Sequence, residues 1–227
     1  MDPVHYISEL VLAVGGLGAA AFGLVDATKV FGGGVNHVGF RKIAKRVESL
    51  TPDGEPGANS LPQKGIIGTL RGNWVNGANL PDQKAIAKSL IKLHLNPRNA
   101  LAMAKATNLD PAVFGSVADK QARGEPLSPN EGDVLARFDL IITAMLDETY
   151  QIADQDYRNA TRALAVLFSL LLAVTAWLIL RHDNPQTQVG FWDAVITGLL
   201  ATPLAPVAKD LSSGLASAVN ALQAVRK

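Results

Sequence analysis

The sequence predicts an all-α membrane protein: three transmembrane helices, the second continuous with a long cytoplasmic stalk helix, and a small helical cytoplasmic domain. Three observations predict this. Leu10 to Val25 and Ala163 to Leu180 carry no charged residue, and Gly190 to Ala208 is a third apolar stretch. Lys and Arg gather beside these stretches on what would be one side of a bilayer. Between the first and second runs, helix start signals recur at Asn, Asp and Ser followed by Pro.

The first span occupies residues 1–31. Asp2 and Glu9 precede its apolar run and no Lys or Arg does, unlike the basic start of a signal peptide. Sixteen uncharged residues reach roughly 24 Å, so Ile7, Ser8 and interfacial Glu9 and Asp26 help complete the crossing. Gly15, Ala19 and Gly23 recur four apart, with Gly16 and Ala20 beside them. Such a strip lets two helix backbones approach closely in lipid, either the chain's own second span or another subunit.

Residues 32–161 read as the cytoplasmic domain. After Gly32-Gly33-Gly34, Phe40, Ile43, Val47 and Leu50 make an apolar face, and Arg41, Lys42, Lys45 and Arg46 supply charge. That pattern suits a helix on an anionic membrane surface, or a basic helix face packed on protein. Residues 51–80 are rich in Gly, Pro and Asn and read as a long loop, with an apolar patch of Ile66, Ile67, Leu70 and Trp74 that docks onto something. Helices then open at Pro81, Asn96-Pro97 and Asp110-Pro111. In the first of them Ile86, Leu90 and Leu93 face a core, and Lys84, Lys88 and Lys92 form a solvated stripe.

The longest element runs from Ser128 to Arg181. Ser128-Pro129-Asn130-Glu131 is a capping box. Leu135, Phe138, Ile142, Met145, Thr149 and Ile152 step by three and four as one apolar seam, which stops at Asp156. After Arg158 and Arg162, the uncharged run Ala163 to Leu180 supplies the core of the second span, residues 162–181; its eighteen residues reach roughly 27 Å against a bilayer core of roughly 30 Å. Unbroken, the whole helix reaches roughly 80 Å and makes a rigid lever.

The third span, residues 190–208, is interrupted by Pro203 and Pro206. Residues 209–227 form an amphipathic helix whose uncharged polar face, Ser213, Ser217, Asn220 and Gln223, is the candidate pore lining; the same face equally suits a helix lying beneath the bundle. Placing the basic clusters inside puts the N-terminus outside and the C-terminus in the cytoplasm, with Tyr6, Trp177 and Trp192 near the outer interface.

Net charge is +1, which gives no general case for nucleic acid. The balance is uneven, however. Residues 32–105 hold eleven Lys or Arg against four Asp or Glu, and residues 106–161 hold four against ten, so a basic half is expected to match an acidic half within the chain or between subunits. Cysteine is absent, which excludes disulfides, thiolate nucleophiles and Cys-ligated zinc. The four His are scattered, and neither a His-Glu-x-x-His, a Gly-x-Ser-x-Gly nor a phosphate-binding Gly loop occurs. The chain is therefore expected to be no enzyme and to carry no metal or cofactor. The expected function is a multi-pass protein of the cell inner membrane forming a homo-oligomeric, channel-like assembly. The alternative is a non-conducting anchor or scaffold whose cytoplasmic domain recruits a soluble protein.

Overall fold

The computed structural model describes residues 3–30, 33–52, 61–183 and 189–206, the backbone alone for residues 3–9. Every regular element among them is a helix: α1 Pro3–Thr28, α2 Asn36–Leu50, α3 Gln63–Val75, α4 Leu80–His94, α5 Ala100–Thr107, α6 Pro111–Arg123, α7 Pro129–Asp183, and α8 over residues 191–206. They divide into two compact units. One comprises residues 1–35 and 158–227, the other Asn36–Tyr157.

The second unit has one continuous core. Phe40, Ile43, Val47 and Leu50 of α2 meet Ile66, Leu70 and Trp74 of α3, Ala87 and Ile91 of α4, Met103 of α5, Phe114 of α6, and Phe138, Ile142, Leu146, Tyr150 and Ala153 of α7. The apolar face of α2 is thus buried in protein and is not offered to lipid, because α3 and α7 supply the partners it needs.

The expected loop over residues 51–80 is corrected by α3. Ile66, Leu70 and Trp74 recur every four residues and are at most 8% exposed, so tertiary burial outweighs the low helix propensity of Gly65, Gly68 and Gly72. Trp74 Nε1 donates to the carbonyl of Asn36 at 2.9 Å, and Trp74 packs on Tyr150 and, edge-on, on Tyr157. Gly39 lies under this ring, where a Cβ would stand 2.5 Å from the Ala153 carbonyl oxygen and 2.7 Å from Trp74. At Gly39, α2 thus approaches the backbone of α7 and the Trp74 ring of α3.

Side-chain caps open α4 and α6, whereas α5 begins at Ala100, behind a turn, and not at the expected Asn96-Pro97. Asn79 accepts from the Asp82 amide and opens α4; Asp110 accepts from Ala112 and Val113 and opens α6. Asn108 and Gly124 close α5 and α6 in the left-handed conformation. The core face of α4 differs from the expected one. Gln83, Ala87, Ile91 and His94 are buried and Leu93 is 60% exposed, because the lysine face turns toward α7 and carries Ala87 and Ile91 inward with it. On α7 the seam likewise drifts to Phe138, Ile142, Leu146, Tyr150 and Ala153, and continues to Tyr157.

The capping box of α7 forms and is extended by α6. Glu131 accepts from the Ser128 amide at 2.7 Å, from Lys120 at 2.7 Å and from the Ser116 hydroxyl at 2.6 Å, while Ser128 Oγ accepts from the Glu131 amide. The Lys120 hydrogen bond, then Ser116 and Ser128, hold the Glu131 carboxyl at about 2 instead of 4.5. A depressed folded-state value stabilises the fold above the unfolded value and loses that contribution as pH falls toward the folded one. Glu131→Gln is therefore expected to lower the thermal midpoint at neutral pH. Its deficit relative to the parent should shrink as pH drops from about 4.5 toward 2, as thermal melts at stepped pH would show.

In the first unit, α8 meets both other helices through glycine. A Cβ on Gly18 of α1 would stand 2.0 Å from the Ala201 carbonyl oxygen, and one on Gly198 would stand 2.9 Å from Leu170 Cα of α7. Among the described residues, two helices are long and apolar enough to cross a membrane: Leu10–Thr28 within α1, and α7. Pro203 does not interrupt α8 as expected, since residues 191–206 are helical throughout. Both prolines sit near the described end, where the missing donors deprive only the Leu199 and Thr202 carbonyls of their helical partner.

Candidate functional site

In the first unit, α7 and α8 carry their small side chains inside and their large apolar ones outside. Ala21, Ala165, Ala173, Ala194, Ala201 and Ala205 are buried, with Ser169 and Thr202 among them, while Leu167, Leu171, Leu178, Ile196, Leu199 and Leu200 are about half exposed. Only 28% of the apolar stretch in α1 and 17% of that in α7 is buried. The two hydroxyls satisfy one another. Ser169 Oγ donates to the Gly198 carbonyl at 2.7 Å and lies 3.3 Å from Thr202 Oγ1. At the α7 end, Trp177 packs edge-on to Phe191, donates to the Val189 carbonyl and lies under the Arg181 guanidinium.

The expected packing strip is split by the rotation of α1. Gly15 is buried, whereas Ala19 and Gly23 are exposed, and nothing stands within 4 Å of a Cβ placed on Gly23. The buried positions are instead Val14, Gly18, Ala21 and Val25. The outward face presents a seam of small residues alone, Ala13, Gly16, Ala20, Gly23 and Ala27. The candidate pore-lining residues Ser213, Ser217, Asn220 and Gln223 lie outside the described residues.

In the second unit the basic and acidic halves meet. Lys84 pairs with Asp147, and Lys88 and Lys92 share Asp139 at 3.2 and 2.8 Å, so the lysine stripe of α4 is seated on the acidic face of α7. Asp139 is held below its ordinary value chiefly by the Lys92 hydrogen bond. Each such partly exposed pair is worth about 0 to 1 kcal/mol, so the ladder sets register more than stability.

The cations of α2 are distributed differently. Lys42 pairs with Asp156 at 2.6 Å. Arg46 donates from Nε to Thr149 Oγ1 at 3.2 Å and stands 3.7 Å from Glu148. Arg41 and Lys45 are exposed and form no ion pair among the described residues. Lys42, Lys45, Arg46 and Ser49 make one wall of a cleft of about 340 Å³, and Glu148, Thr149 and Ile152 make the other. The cleft was not legible in the sequence, because Arg46 and Thr149 are 103 residues apart; the i, i+3, i+4, i+7 spacing of Lys42, Lys45, Arg46 and Ser49 along one helix face was the local signal.

No group of three His, Asp or Glu able to hold a metal ion occurs among the described residues. His94, buried at the end of α4, has its Nε2 3.2 Å from the Pro52 carbonyl and serves the core. Compared with known proteins, the chain matches no family model, no curated protein and no solved structure.

Proposed function

We propose that the protein is a multi-pass integral membrane protein of the cell inner membrane that assembles as a homo-oligomer and holds a helical cytoplasmic domain at the membrane face as an anchor or scaffold for a soluble protein partner. The observation that carries the reading is the inverted packing of the first unit. Leu and Ile outside with Ala, Gly and paired hydroxyls inside is what lipid selects, since large apolar side chains lose nothing there and close backbone contact supplies the attraction. In this reading α1, the C-terminal part of α7 and the stretch around α8 are the three spans, the remainder of α7 is the stalk, and the Trp177 cluster lies at the outer interface. The small-residue seam on α1 supports association with a second copy.

The channel-like assembly is the second reading. The uncharged face Ser213, Ser217, Asn220 and Gln223 favours it. The described spans favour the anchor, because Ser169 and Thr202 spend their hydrogen bonds on each other and on backbone, leaving no polar row to line a water path.

The cysteine-free chain is a ready background for labelling. In intact cells a membrane-impermeant maleimide is expected to modify His182→Cys at the outer end of α7 and to reach Ala122→Cys of the helical domain only after lysis. Labelling of Ala122→Cys in intact cells, or recovery of the chain in the soluble fraction, refutes the topology. The solubilised protein is expected to weigh a multiple of 23.9 kDa. A monomer removes the homo-oligomer and the channel with it.

A further inference from the structure

We propose that the cleft between α2 and α7 binds a small phosphate-type oxyanion through Arg46 and Lys45. The inference does not depend on the membrane role. Three features of the cleft support it.

The first is a positioned guanidinium. Thr149 Oγ donates to the Met145 carbonyl at 2.7 Å, which leaves its lone pairs for Arg46 Nε at 3.2 Å. Thr149 is only 6% exposed, so this anchor is fixed by the core of α7. With Nε committed, the two Nη groups remain on a residue that lines the cleft, and Glu148 stands 3.7 Å from Nη2, beyond hydrogen-bond length, on a side chain 62% exposed. The fork that grips a phosphate or carboxylate in bidentate fashion is therefore held in place with its donors largely unspent.

The second is the charge balance. Every lysine of the α4 stripe rests on a carboxylate of α7, and Lys42 rests on Asp156. Lys45, one turn away on the same wall, forms no ion pair among the described residues. Two monocations on one wall, faced by one loosely held carboxylate on the other, suit a dianion, and Glu148 is the group that such a ligand displaces.

The third is size. A cleft of about 340 Å³ lies in the range of small-molecule sites and exceeds what a bare phosphate fills, and Ile152 gives its wall an apolar element. The ligand chemistry is thus a phosphate or small phosphate ester, supplied either free in solution or on a lipid headgroup.

The test titrates inorganic phosphate into the full-length protein by calorimetry, first in an uncharged detergent at low ionic strength. Saturable binding is expected, with a dissociation constant of about 1 mM. Lys45→Gln should weaken it by about fivefold and Arg46→Gln by more than about tenfold, whereas Glu148→Gln, which removes the competing carboxylate, should tighten it by about threefold. Arg46→Gln also disturbs the Thr149 contact, so the exposed Lys45→Gln and Glu148→Gln decide the matter, each checked for unchanged helical circular dichroism. A second arm repeats the titration in phosphatidylcholine discs with and without phosphatidic acid. Phosphate binding unaffected by phosphatidic acid assigns the cleft to a free ligand; phosphate binding suppressed by it, with the suppression relieved in Lys45→Gln, assigns it to the lipid headgroup. Absence of saturable phosphate binding in both arms, or binding indifferent to Lys45→Gln and Glu148→Gln, overturns the proposal.

Discussion

Replacing Phe138 by Ala is expected to cost about 4 kcal/mol and to lower the melting midpoint of the helical domain by roughly 15 °C. The side chain is 0% exposed, and its ring centroid lies 4.8 Å from that of Phe114, so the substitution opens a void between α6 and α7 that neighbouring backbone cannot close. Trp74 is the only tryptophan of its unit, and with Trp177 and Trp192 changed to Phe its emission reports that unit alone. Leu140→Ala, at a position 68% exposed on the same helix, should stay within about 0.5 kcal/mol of the parent. Equal effects from the two substitutions would remove Phe138 from the core.

Gly18→Ala is expected to be the most damaging single-methyl change, destabilising the first unit by about 3 kcal/mol. The new carbon would stand 2.0 Å from the Ala201 carbonyl oxygen and 2.6 Å from its carbon, and both are helix backbone, so α1 and α8 must separate to admit it. Gly16→Ala and Gly23→Ala sharpen the comparison, because nothing lies within 4 Å of either new methyl. In an otherwise open helical position Ala is favoured over Gly by about 0.5 to 1 kcal/mol, so these two are expected to match or slightly exceed the parent. Heating the solubilised chain and following the loss of its native elution peak measures all three. A midpoint for Gly18→Ala level with the other two would show that α1 does not pack on α8 at this glycine.

What the sequence displayed and what it hid follow from the range of the interactions. The capping box at Ser128 and Glu131 and the Asp110-Pro111 start are local, since each donor finds its acceptor within three residues, and both could be read directly. The uncharged runs were equally plain. α3 was hidden because its three glycines speak against a helix, and the burial of Ile66, Leu70 and Trp74 that overrides them depends on α2 and α7, which lie outside its own segment. The same distance explains the rotation of α1. Gly15, Ala19 and Gly23 and the set Val14, Gly18, Ala21 and Val25 are both valid helix faces, and only the position of Ala201 selects between them. Of the candidate sites, the basic residues of α2 could be named from sequence, whereas their unequal pairing with Asp156, Glu148 and Thr149 required the fold.

The double role of α8 constrains the order in which the chain can be assembled. Its residues meet Gly18 of α1 on one side and Ser169 and Leu170 of α7 on the other, and it is made last of the three, more than 160 residues after α1 ends. Until it arrives, the Gly18 notch is empty and the Ser169 hydroxyl has only the Val166 carbonyl of its own helix. A chain ending after Asp183 would therefore leave α1 and α7 without the helix that both pack against.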